Sequence, residues 1–302
     1  MFLSGFILDN NYTNEMAVDE STLVFTRYLY PKYNVKHSFL FAMLERQLDE
    51  ALFWGYELYY SGFQEESMQF IESIYEMFYQ GQNPMFSVFL RKMVNQWTVD
   101  PNLDWCFASI VVSLIHKSYD VSKFVETICQ VKCKPLEQVT TCSKKTMNIV
   151  VNDDYIEKYK TMASGCMSTY RVLSTACRYS IRSNISKLFE FELSYDIMHE
   201  YYVKHWLYYA VRSPLWEDRL VDVGGELCHE TKQVMFPNED AEEKFYDQWA
   251  YNPDEQPLDV KTRCIGNPGD SQMSILEFCD RFGVEIEVPP RPKKRLVLKT
   301  EV

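Results

Sequence analysis

Between Asp49 and Gln130 the chain is cut at helical intervals by residues that start and stop helices, and this punctuation restricts its fold more than any other feature. Asp49 and Glu50 place acid at the positive end of a helix dipole, and Gly62 offers a left-handed stop. A second helix is predicted from Glu65 to Gln80, with Met68, Ile71, Tyr75 and Phe78 at helical spacing and Gly81 as its end. Asn83-Pro84 opens a third, which carries Phe86, Phe89, Leu90, Met93, Val94 and Trp97. Asp100-Pro101 opens Leu103–His116, and Asp120 caps Val121–Gln130. Within this array one phrase occurs twice, YELYYSG at 56–62 and YEMFYQG at 75–81. Each copy predicts a helix end, with Gly turning the chain and the aromatics one turn earlier facing a neighbouring helix. A tetratricopeptide pattern does not fit, because Trp54 lacks Leu-Gly at the required offsets.

Residues 131–152 break the rhythm with Pro135, a Thr/Ser cluster and β-branched residues, and read as a linker or a short strand pair. Helices resume at Asp154–Met162 and Ser168–Ile181. The stretch Ile185–Val211 is aromatic on several faces, which places it at the centre of the second half. Ser213-Pro214 starts the next helix, Leu215–Asp222, and Gly224-Gly225 stops it; Asn238 caps another running to about Ala250. The tail alternates apolar and polar residues around Pro289-Pro290. The expected fold is all-α, predominantly helical: an irregular helix-hairpin array or bundle, HEAT-like at most. Short β or extended segments are expected near 131–152 and in the C-terminal tail. The expected organisation is an N-terminal helical half at 1–130, a linker at 131–152, a helical half at 153–283 and an extended basic tail at 284–302.

Composition narrows the chemistry. Ten glycines in 302 residues leave little material for phosphate-cradling loops, whereas Phe, Tyr and Trp make up 15% of the chain and supply large packing units. A net charge of −12 opposes wholesale binding to nucleic acid or anionic membrane. Most of that charge falls between Glu217 and Asp280, where 16 acidic residues face 5 basic ones. This segment reads as a solvated face or as a docking surface for a basic partner. The nine cysteines are odd in number and irregularly spaced, with Cys106, Cys129 and Cys177 inside apolar helical patterns, so they read as thiols of a reducing compartment. MFLSGFILDNN lacks the basic start of a signal peptide, and the longest apolar run, Cys106–Ile115, is too short to span a bilayer. An intracellular protein without membrane contact is expected.

No phosphate loop, dinucleotide fingerprint, nucleophile elbow or His-Glu-x-x-His occurs. His199 and His205, six apart, point about 120° away from each other on a helix and cannot share a metal. Cys129, Cys133, Cys142, Cys228 and His229 are the only zinc candidates, and their spacing is atypical, so no metal or other cofactor is expected. Arg171, Arg178 and Arg182 fall within about 40° on one helical face and form a candidate anion or nucleic-acid stripe. Lys293, Lys294 and Arg295 make the tail a second basic patch. Candidate protein contacts are the aromatics Trp54, Tyr59, Tyr60, Tyr79, Trp216 and Trp249.

Three segments, LDEALFWGYELYYSGF (48–63), HWLYYAVRSPLWEDRL (205–220) and FYDQWAYNPDEQP (245–257), together resemble a family of uncharacterised proteins of nucleocytoplasmic large DNA viruses. The resemblance spans both halves and implies host cytoplasm, a viral factory or a virion; it carries no catalytic residues. The expected function is a non-enzymatic helical scaffold or adaptor that binds another protein within a larger, viral assembly. The alternatives are an RNA- or DNA-associated subunit of a viral translation or transcription complex, or a minor virion structural protein.

Overall fold

The computed structural model describes residues 23–134, 147–161, 168–182, 193–270 and 272–286. The fold is predominantly helical. Its first half comprises α1 (Lys32–Leu44), α2 (Leu48–Tyr59), α3 (Gln64–Ile74) continued by a π turn at Tyr75–Tyr79, α4 (Phe86–Val99), α5 (Trp105–Leu114) and α6 (Ser122–Thr127). Then follow α7 (Asp153–Lys160), α8 (Arg171–Ala176), α9 (Tyr195–Lys204), α10 (Trp206–Ala210) and α11 (Pro214–Val221). A hairpin of β1 (Glu226–Cys228) and β2 (Gln233–Met235) pairs Leu227 with Val234 in antiparallel register and precedes α12 (Glu239–Trp249), α13 (Leu258–Ile265) and α14 (Ile275–Phe282).

The centre of the molecule is the α1–α2 hairpin. From Asn34 to Leu44 only Lys36 escapes burial on α1, and from Glu50 to Tyr59 every residue of α2 is buried, as expected of helices apolar all round. α5 crosses α2 at Gly55, where an added Cβ would stand 2.6 Å from the Phe107 ring. Only glycine permits that approach. The sequence reading instead puts Ile185–Val211 at the centre of the second half. Its described part forms α9 and α10, separated by a break at His205, and its rings pack back onto the first half: Phe25 meets Tyr202 and Tyr209 edge-on at 5.9 and 6.0 Å.

One hydrophobic core connects Leu23 to Val284. Phe53 meets Tyr179 at 5.2 Å and Phe41 meets Phe278 at 6.2 Å. A buried ion pair stiffens the same seam. Arg27 Nε donates to Glu57 Oε2 at 2.9 Å, while its other nitrogens donate to the carbonyls of Tyr159 and Lys160. Burial raises the Glu57 carboxyl above its ordinary pKa, opposed by the Arg27 charge and by hydrogen bonds from Thr26, Arg27 and the Tyr28 amide.

Helix starts are largely as the sequence predicts, with local differences. Asn238 and Asn152 cap α12 and α7 through their side chains. Asp100 accepts from the Asn102 amide in a turn, so α5 begins later, at Trp105. Ser213 does not cap α11; its hydroxyl donates to the Ala210 carbonyl. The extended segments predicted on both sides of the second half meet at their described ends, where Cys133 bridges Ile286 and the Lys134 amide donates to the Glu285 carbonyl at 2.8 Å. No described helix is long and apolar enough to cross a membrane.

Candidate functional site

Four of the six aromatics predicted as partner contacts are interior. Trp54, Tyr79 and Trp216 are fully buried and Tyr59 is 2% exposed, because each faces another helix rather than solvent. Their polar atoms are spent internally: Trp54 Nε1 donates to Glu50, Tyr59 Oη to the Pro101 carbonyl, and Trp216 Nε1 to the Thr26 carbonyl. Tyr60 and Trp249 are half-buried, and Tyr60 Oη donates to Asp104 at 2.6 Å.

The arginine stripe does not form. α8 ends at Ala176, and Cys177 leaves helical geometry with ψ 80°, so Arg178 and Arg182 no longer continue the face of Arg171. Arg182 is bound inside the molecule: Nε and Nη2 donate to the two oxygens of Glu50 at 2.8 and 2.6 Å, and Nη1 donates to Glu45 at 3.1 Å. Its partners lie on and just beyond the central hairpin, not in the acidic segment. A cleft of about 440 Å³ opens beside it, lined by Asn34, Tyr195 and Asp270 among others, but Asp270 is spent accepting from the Asn267 amide. Lys293, Lys294 and Arg295 lie outside the described residues.

Cys129 and Cys133 lie near enough to act on each other, but the described zinc candidates do not gather as one group. Cys129 is half-buried, and burial pushes its thiol up to about 12. Cys133 Sγ donates to the Ser122 carbonyl, while Cys228 sits in β1 and His229 Nδ1 contacts Tyr208 Oη at 3.0 Å. Cys142 lies outside the described residues. Among the described residues no three His, Cys, Asp or Glu side chains converge as a metal-holding group. Cys177 and Cys264 meet in the core with sulfurs 3.5 Å apart, and burial raises the Cys177 thiol well above its ordinary value.

The acidic segment is the most distinctive surface. Ten carboxylates, on Glu217, Asp218, Asp222, Glu226, Glu230, Glu239, Asp240, Glu242, Glu243 and Asp247, are all exposed along α11, the hairpin and α12. None of them has a cation within ion-pair distance among the described residues. Elsewhere several acids are paired: Glu66 holds both Lys32 and Lys36 at 2.5 Å, and Lys160 reaches Asp104 at 3.3 Å.

Within this face, sequence reading missed Arg219. Its guanidinium lies 3.6 Å from the Trp249 ring and 4.4 Å from that of Trp216, clamping α11 to α12. A cleft of about 320 Å³ beside it is lined by Arg219, Asp222, Val223, Lys244, Phe245, Gln248 and Trp249. The available signal was the Trp216-x-x-Arg219 spacing, which puts ring and cation on one helical face. Compared with known proteins, the chain matches no family model, and neither a curated protein nor a solved structure matches it significantly.

Proposed function

We propose that this chain is a helical interaction module that docks a basic protein partner through the acidic face of α11, the hairpin and α12. One observation carries this reading: ten exposed carboxylates stand together with no cation within ion-pair distance among the described residues, while several acids elsewhere, such as Glu66, Glu45 and Glu50, are paired. Such a surface raises the local concentration of a cationic partner and speeds its encounter. The resemblance of three segments to proteins of large DNA viruses supports a viral assembly as the setting.

The test compares two variants of equal net charge. Glu239→Lys, Asp240→Lys and Glu243→Lys reverse the face; Glu76→Lys, Glu157→Lys and Asp196→Lys reverse exposed acids elsewhere. Fluorescence anisotropy with a short Lys/Arg-rich peptide is expected to show salt-sensitive binding that the first variant loses and the second keeps. Equal loss in both, or tighter binding of an oligonucleotide than of the peptide, sinks the reading in favour of diffuse charge or a nucleic-acid role.

A further inference from the structure

We propose that the cleft between α11 and α12 binds a carboxylate carried on an apolar group, held by the Arg219 guanidinium and the Lys244 ammonium. This binding is independent of the docking proposed above, because it uses two cations of the segment rather than its carboxylates.

Arg27, Arg182, Arg263 and Arg281 each lie within ion-pair distance of a carboxylate. Among the described residues Arg219 does not, although Asp218 precedes it in sequence and Asp222 lines the same cleft one turn on. Its guanidinium carbon lies over both indole rings, and Nη1 has no hydrogen-bond partner among the described residues. Burial lowers the guanidinium pKa from its ordinary value, offset in part by the neighbouring Tyr251 phenol, so the cation is desolvated without a full counter-charge. An anion in the cleft relieves that cost. Lys244 on the facing helix is exposed and has no ion pair among the described residues, and supplies a second positive charge to the same lining.

The cleft selects within anions. A carboxylate is planar and matches the fork of a guanidinium edge. A phosphate dianion meets twice the repulsion from Asp222 and the surrounding carboxylates. Val223, Phe245 and Trp249 give the cleft an apolar wall, and about 320 Å³ stands at the small end of ligand pockets. The occupant is therefore a small organic acid or the carboxylate terminus of a chain ending in an apolar residue.

The indole N–H signals of Trp216 and Trp249 report occupancy in two-dimensional NMR titrations of the whole chain. Cyclohexanecarboxylate is expected to shift them saturably, and cyclohexanecarboxamide to leave them in place. A short leucine-ended peptide with a free carboxylate, run beside its amide, separates a chain terminus from a free acid as the source. Arg219→Lys keeps the positive charge but loses the planar fork and its ring stacking, and weakens binding. Lys244→Gln changes only an exposed side chain and weakens binding about 2- to 5-fold. Equal shifts by acid and amide, no saturable shift with either carboxylate, or full affinity in both variants overturns the site.

Discussion

At the residue scale, identical letters meet different surroundings. Glu57 and Glu76 occupy the same place in the repeated phrase, yet Glu57 is fully buried against Arg27 while Glu76 is exposed. Asp49 shows how surroundings set a titration. Burial alone would raise its carboxyl, but hydrogen bonds from Lys158, Tyr159 and Tyr179 hold it down to about 2. A carboxyl depressed below its unfolded value, near about 3.9, stabilises the fold fully above that pH and loses its contribution as pH falls through about 2. The wild-type chain is expected to lose stability across that acid window, and Asp49→Asn to flatten this part of the profile. Urea unfolding between pH 5 and pH 2 measures both; an unchanged slope in the variant would mean the three donors do not act on folding.

At the element scale, the two copies of the phrase end their helices by different means. The first closes in an α-helix followed by Gly62 at φ +95°, with Pro214 Cβ 2.5 Å from where a Cβ would stand. The second widens into a π turn at Tyr75–Tyr79, and Gly81 has neither a left-handed φ nor an atom within 4 Å of its would-be Cβ. Gly62→Ala therefore carries about 1–2 kcal/mol of backbone strain, with the clash against α11 added to it. Gly81→Ala is expected to stabilise by about 0.4–1 kcal/mol through the unfolded chain. Thermal melts of the pair decide whether the copies are equivalent; similar losses in both would restore the repeat. The start of α12 is legible because capping acts within four residues: Asn238 bonds the amide three positions on, and Asn152, not expected as a cap from the sequence, does the same for α7. α14 was equally legible through the Ser274–Glu277 capping box, but sequence reading passed over it. α1 was not legible, since burial on nearly every face leaves it no periodic contrast.

At the scale of the whole molecule, the boundary expected at 131–152 does not interrupt the core. Phe278 on α14 is fully buried against Phe124 at 5.5 Å and Phe41 at 6.2 Å. Phe278→Ala is expected to cost about 3–5 kcal/mol and to lower one transition seen alike by tryptophan fluorescence and far-ultraviolet circular dichroism. Two separated transitions, with only one displaced, would restore two independent halves. What the amino-acid order determined by itself is local or additive: helix starts, the helical class, and the concentration of negative charge between Glu217 and Asp280. The tertiary structure alone decided which rings are core, which carboxylates Arg182 meets, and that Arg219 stands between two indoles with no acid in ion-pair distance among the described residues. The reason is range. Caps and charge sums depend on neighbours in the chain, whereas burial and pairing depend on residues such as Glu50 and Arg182, 132 positions apart.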